Sequence, residues 1–210
     1  MTGSKTDIRF VKLVVFVNSL VPLALMSWDA YQRRLGANPI EFATRTTGAL
    51  TLIFLLLSLA VTPLRRLTGM QWLVRVRRML GLYAFFYGCL HLMTYVWFDK
   101  FFNLPAIAGD TLKRPFIAVG MLSFFLMVPL AITSTDRMIK RLGGKRWKQL
   151  HRAAYLAAAG GVIHYYLLVK ADTRVPTMFA YALGVLLFYR LITFVIARLA
   201  QRAPTQPSAS

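Results

Sequence analysis

The 210-residue chain is 57% apolar and has a mean hydropathy of +0.54, which is too apolar for an ordinary soluble domain. Its formal charge of +19 would suggest nucleic-acid binding in a soluble protein. Here, however, the basic residues lie between long apolar runs and form no basic-aromatic RNA motif. The composition therefore argues against a nucleic-acid partner and predicts an all-α integral membrane protein.

Six apolar stretches are long enough, or nearly so, to cross a hydrocarbon core of ~30 Å as helices. None alternates polar and apolar residues over the ~10-residue segments of a membrane barrel. The first stretch lacks a small-residue cleavage site before Trp28, so we interpret it as a helix and not as a signal peptide. The predicted spans are residues 10–28, 46–64, 79–97, 116–134, 149–169 and 178–197.

The orientation follows from Lys and Arg, which concentrate on the cytoplasmic side of membrane proteins. With the N-terminus in the cytoplasm, seventeen lie in inner segments and eight in outer loops. Arg190 falls inside the sixth span, and we expect its side chain to extend toward the inner surface. We therefore predict a cytoplasmic N-terminus (1–9), a six-helix bundle (10–197) and a cytoplasmic, disordered tail (198–210).

Two of the three histidines, His91 and His164, have matching predicted depths. Each lies six residues before the outer end of its helix, so each imidazole is roughly 9 Å below that end. Imidazoles inside a bilayer are costly and usually functional, and a haem iron takes axial ligands from facing helices. We predict that this pair ligates one haem near the outer face. The alternative is a hydrogen-bonded pair of interior histidines, and zinc is less suited because only Cys89 could share their depth.

His151 lies thirteen residues before His164, about 19.5 Å further inward on a continuous helix. It is either an interfacial histidine near the lipid headgroups or a ligand of a second, inner haem. Over thirteen residues of ideal helix, the side-chain direction ends roughly 140° from where it began. His151 and His164 would therefore share a face only if the helix were distorted near Gly160-Gly161. The same glycine pair would also let a flat macrocycle or a neighbouring helix approach closely.

A family resemblance rests on these histidines and on four sequence blocks. Histidines thirteen apart on the fifth helix, facing a histidine on the third, resemble the ferric-reductase and NADPH-oxidase transmembrane superfamily. Within it, the chain is similar along nearly its whole length to the haem-binding membrane subunits of the bacterial periplasmic methionine sulfoxide reductase system. The blocks are TRTTGALTLIFLLLSLAVTPLRR, RRMLGLYAFFYGCLHLMTYVW, KRPFIAVGMLSFFLMVPLAITS and LGGKRWKQLHRAAYLAAAGGVIHYY.

The resemblance implies a ferric-reductase-like haem domain in a bacterial inner membrane. It implies b-type haem, one or two, and a flavin mononucleotide (FMN). Electrons would come from the quinone pool or a cytosolic flavin reductase and pass to a periplasmic molybdenum enzyme, MsrP, that reduces protein methionine sulfoxide. The chain itself would be the electron-transfer subunit and not the catalytic one. The alternatives are a self-standing ferric or quinone reductase and a transporter whose histidines relay protons.

The sequence departs from the superfamily at Arg78. Members carry a second histidine on the third helix, whereas this chain has Arg78 thirteen residues before His91, with Arg77 beside it. Arginine stays protonated and is a very poor iron ligand. We expect the two arginines to contact haem propionates or a flavin phosphate, or else only to set the topology. An inner haem would have His151 and an unknown second ligand.

Overall fold

The computed structural model describes residues 5–202, and every regular element within that range is a helix. Five helical segments are long and apolar enough to cross a membrane, which supports an all-α, multi-pass membrane protein. These segments are Ile8–Tyr31, Pro39–Thr68, Leu73–Asp99, Pro115–Ile132 and Arg174–Gln201. The helices are α1 (Lys5–Tyr31), α2 (Pro39–Thr68), α3 (Leu73–Met93), a π-helix (Thr94–Asp99) that continues α3, α4 (Leu104–Lys113), α5 (Pro115–Ile132), α6 (Asp136–Leu142), α7 (Gly144–Leu150), α8 (Ala153–Leu168) and α9 (Arg174–Arg202).

The fifth predicted span differs from the structure. A single helix over residues 149–169 is wrong, because a turn at His151 and Arg152 separates α7 from α8. The indole nitrogen of Trp147 donates a 2.9 Å hydrogen bond to the Thr133 carbonyl, which fixes α7 against the end of α5. The remaining helix, α8, has 16 residues and is about 24 Å long, shorter than the other five segments.

The chain order places the helix ends at two opposite ends of the bundle. We call the end with residues 32–38, 94–114 and 169–173 the upper end, and the end with residues 69–72 and 133–152 the lower end. Local sequence marks both ends of α2. The Asn38 side chain accepts the Glu41 N–H at 3.1 Å, Pro39 opens the first turn, and Gly69 ends the helix in a left-handed conformation (φ 71°).

Two antiparallel helix pairs, α2 with α3 and α5 with α8, form the centre of the bundle. Leu59, Ala84, Tyr87 and Ala158 of these helices are completely or almost completely buried. The pair Gly160-Gly161 sits at this junction: a Cβ at Gly161 would lie 2.8 Å from Leu52 of α2. A Cβ at Gly160 would collide with Ser123 of α5. The two glycines thus let neighbouring helices approach closely, one of the roles expected from the sequence.

Candidate functional site

His91 on α3 and His164 on α8 come together at the upper half of the bundle. Their ring centres are 6.1 Å apart, and the ring planes are inclined by 77°. Both side chains line a cavity of about 350 Å³, within the ~300–1,000 Å³ range of ligand pockets. The structure therefore brings together the two histidines whose depths match in the sequence.

Each of these histidines is held by a backbone carbonyl of the neighbouring helix. Nδ1 of His91 lies 2.9 Å from the Thr44 carbonyl oxygen, and Nδ1 of His164 lies 2.6 Å from that of Phe116. A carbonyl oxygen can only accept, so Nδ1 carries the proton and the lone pair of each neutral ring is on Nε2. Metal-binding histidines are oriented by hydrogen bonds of this kind.

A glycine makes room for each ring. The accepting carbonyl lies four residues before Gly48 on α2 and four residues before Gly120 on α5. A Cβ at Gly48 would come within 3.0 Å of the His91 ring, and one at Gly120 within 2.7 Å of Nδ1 of His164. We call this combination of a carbonyl and a glycine four residues later a histidine seat.

The two histidine seats are alike although the sequence shows no useful repeat. Thr44 and His91 are 47 residues apart, and Phe116 and His164 are 48 apart. Each seat is on the first helix of a central pair, and its histidine is on the second. Sequence reasoning missed this correspondence, although the nearly equal glycine-to-histidine separations were a signal for it.

The geometry of the pair fits a bis-imidazole metal complex. Metal–nitrogen bonds of about 2 Å, with about 1 Å from each nitrogen to its ring centre, place the ring centres roughly 6 Å apart. The observed 6.1 Å agrees with that value. The cavity walls are mainly apolar, including Leu52, Leu55 and Phe124, as a porphyrin face requires. The residues present therefore fit a haem, whose iron His91 and His164 would hold.

Charged residues surround the upper rim of the cavity. Arg45 and Arg114 line this rim. A second cleft of about 920 Å³ opens beside the cavity, and Arg45, Tyr95 and Asp99 line both. Beside the rim, Lys100 lies 2.6 Å from Asp110, and its ammonium group lowers the pKa of that carboxyl below its ordinary value. This ion pair ties the start of the 100–114 segment to α4, and sequence reasoning did not identify it.

His151 lies apart from this pair, at the lower end. Its ring stacks on Trp147 with 3.9 Å between ring centres, and its Nε2 lies 3.2 Å from the Thr133 hydroxyl oxygen. That hydroxyl is 2.6 Å from the Pro129 carbonyl, to which it donates, so Nε2 of His151 is the protonated nitrogen. The chain has three histidines, and the other two form the upper pair. The role of His151 as an inner ligand stays a prediction.

Arg77 and Arg78 point to different surroundings. Arg78 forms an exposed ion pair with Asp136 and lowers the pKa of that carboxyl through their hydrogen bond. Arg77 is partly buried, and its charge interacts with His151, Tyr155 and Arg190. The structure therefore does not bring the two arginines to one site, although they are neighbours in the sequence.

Comparison with known proteins agrees with this architecture. Residues 45–162 match the family described as ferric reductase like transmembrane component, from α2 to two residues before His164. The chain is 51% identical over 208 residues to the "Protein-methionine-sulfoxide reductase heme-binding subunit MsrQ" of Rhodospirillum rubrum, covering 98% of this chain and 100% of that protein. The protein of the same name from Herminiimonas arsenicoxydans is 50% identical over 190 residues, 90% of this chain and 87% of that protein. The chain belongs to the MsrQ family.

Membership of the MsrQ family confirms the resemblance drawn from the four sequence blocks. A third MsrQ protein, from Caulobacter vibrioides, is 45% identical over 188 residues, which is 90% of each chain. The matches to these proteins cover most of the MsrQ-family chain. The 98% coverage in the Rhodospirillum rubrum comparison includes both central helix pairs, and with them His91 and His164.

Proposed function

We propose that the chain binds haem b between His91 and His164 and carries electrons across a bacterial inner membrane. The recipient is a periplasmic, MsrP-like subunit that reduces protein methionine sulfoxide. The observation that carries the proposal is the histidine pair: two imidazoles, each held at Nδ1 by a backbone carbonyl, line one apolar cavity with ring centres 6.1 Å apart. The name of these relatives, a heme-binding subunit of a reductase, supports the same function.

The protein groups have separate roles in this proposal. When bound, haem serves as a one-electron carrier. His91 and His164 would hold the iron, and the Thr44 and Phe116 carbonyls keep the proton on Nδ1, so that Nε2 is free to be the ligand. Arg45 and Arg114, at the upper rim, would pair with the haem propionates. The apolar walls of the cavity exclude water from the two imidazole rings and favour their uncharged form.

The upper end is periplasmic in this proposal, and α8, the fifth in chain order, completes a set of six spans. The basic residues of the lower loops then lie in the cytoplasm together with both termini. The histidine pair accordingly lies near the periplasmic partner. The lower end, with His151 and Arg77, faces the electron donor, either the quinone pool or a cytosolic flavin reductase that brings FMN.

Reporter fusions test the orientation. We expect alkaline phosphatase fused after residue 105, in the upper loop, to be active, and the same reporter fused to the C-terminus to be inactive. A green fluorescent protein fused to the C-terminus should fluoresce, since that protein folds in the cytoplasm. An active C-terminal phosphatase fusion together with an inactive loop fusion would reverse the orientation.

A two-step optical experiment tests the function. Purified full-length protein should show a haem Soret band, and a quinol should reduce it. Addition of the oxidised MsrP-like partner with methionine sulfoxide should then reoxidise the haem at least about tenfold faster than the sulfoxide alone. Rapid reoxidation by a ferric chelate with no effect of the partner would instead favour a self-standing reductase. Absence of any haem band would contradict electron transfer.

A further inference from the structure

Arg190 carries a buried guanidinium with an unused donor. Its Cζ lies 5.0 Å from the ring centre of Tyr155, so α9 packs onto the start of α8 through a cation–π contact. Its Nη2 is buried and has no hydrogen-bond partner in the part of the chain that the structure describes. A charged donor that is buried without a partner is costly, so such groups are normally paired or bind a ligand.

Arg77 brings a second positive charge to the same place. It lies one helical turn above the lower end of α3, at about the depth of Tyr155 at the start of α8, and its charge acts on Tyr155 and Arg190. Neither arginine forms an ion pair with an acidic residue among residues 5–202, and the nearby Asp136 is already paired with Arg78. Two like charges in a partly desolvated site repel each other, and a bound anion would remove that repulsion.

We propose that Arg77, Tyr155 and Arg190 form a binding site for a phosphate group at the lower half of the bundle. Guanidinium groups recognise planar and tetrahedral oxyanions through paired N–H donors. A phosphate monoester carries about −1.5 to −2 charges, which matches two arginines better than a single carboxylate does. The hydroxyl of Tyr155 supplies a further donor. This site is separate from the proposed haem site, since it uses neither His91 nor His164.

The phosphate can come from a soluble monoester or from a lipid headgroup, and two probe pairs distinguish these sources. FMN is compared with riboflavin, which lacks the phosphate, and dioctanoyl phosphatidic acid, a lipid phosphate monoester, is compared with dioctanoylglycerol. Binding to purified full-length protein in detergent is measured by calorimetry. We expect one phosphate probe to bind, with its phosphate-free analogue at least tenfold weaker. The probe that binds identifies the source.

Variants assign the binding to the two arginines. We expect Arg190→Gln and Arg77→Gln each to weaken the bound phosphate probe at least tenfold, and Arg190→Lys to retain part of the affinity because it keeps the charge. Arg198→Gln is the matched control: Arg198 is exposed on the same helix, with its Cζ 4.9 Å from the Phe194 ring centre, and its loss should leave binding unchanged.

Haem absorbance is recorded for every variant so that loss of folding is separated from loss of binding. The expected result is an unchanged haem band beside weakened phosphate binding. The proposal is overturned if neither phosphate probe binds the wild-type protein better than its analogue. It is also overturned if the Arg77 and Arg190 variants bind the probe as tightly as Arg198→Gln does. Because the readout is phosphate affinity, its result is independent of whether electrons reach a periplasmic partner.

Discussion

Replacing His91 or His164 with alanine should remove most of the low-spin haem absorbance while the protein still inserts into the membrane. Both rings line one cavity, with 6.1 Å between their centres, so each would supply one ligand to the iron of a bound haem. Loss of either ring would remove one of the two groups that hold the iron. The haem-to-protein ratio and the Soret and α bands of purified variants measure the effect, which we expect to be a loss of at least about fivefold.

His151→Ala is the matched control for these variants. His151 is the third histidine of the chain, but it stacks on Trp147 at the lower end and does not contact the upper pair. We expect this variant to retain the haem held by His91 and His164. Added imidazole should partly restore the band in the His91 and His164 variants, since alanine leaves a ring-sized space in the cavity. Full and unchanged spectra in both alanine variants would contradict the pairing.

The convergence of His91 and His164 could be predicted from the sequence because depth along a helix depends only on residue count. Both positions lie six residues below the predicted outer end of their helix, and a rise of about 1.5 Å per residue gives them equal depth. The histidine seats could not be predicted in this way. The identity of each accepting carbonyl depends on which helix packs beside the histidine, and that is decided by the tertiary structure.

The break before α8 also depends on contacts that sequence periodicity does not contain. Residues 149–169 are apolar enough to be taken for one helix, but Trp147 bonds to Thr133 at the end of α5 and holds α7 apart. The calculated 140° turn between His151 and His164 assumed a continuous helix and therefore does not apply. Their separation is set by the turn at His151 and Arg152.

Arg77 and Arg78 show why adjacent charges should not be treated as one site. Successive residues of a helix point about 100° apart, so neighbours face different surroundings. Arg78 faces Asp136 at the surface, whereas Arg77 faces Tyr155 and Arg190 inside the bundle. Arg190 itself was expected only to extend toward the inner surface. Its packing on Tyr155 required knowledge that α9 lies against the start of α8.

Gly120→Ala should displace His164 and lower haem occupancy severalfold. The new Cβ would lie 2.7 Å from Nδ1 and 2.9 Å from Cε1 of the ring, closer than such atoms normally approach. The ring is held by a 2.6 Å hydrogen bond to the Phe116 carbonyl, so it cannot move without weakening that bond. Nε2 would then leave its ligand position, and a shift of spin state in the visible spectrum should accompany the loss of haem.

Gly48→Ala tests the other histidine seat and should have a smaller effect. Its Cβ would come within 3.0 Å of the His91 ring, so a shift of a few tenths of an ångström relieves the contact. The hydrogen bond to Thr44 is also longer, at 2.9 Å, and tolerates more movement. We therefore expect an altered spectrum with most of the haem retained. The predicted order of haem content is wild type, then Gly48→Ala, then Gly120→Ala.

Gly81→Ala and Gly184→Ala are the controls, because a Cβ at either helical position would meet nothing within 4 Å. Alanine is a better helix former than glycine by up to about 1 kcal/mol, so these variants should be as stable as the wild type or slightly more stable. Their haem content and spectra should not change. If Gly120→Ala behaved like these controls, the ring would have to be free to move without cost. The carbonyl and glycine of the histidine seat would then have no part in positioning Nε2. If haem is lost only in the Gly48 and Gly120 variants, the histidine seats position Nε2.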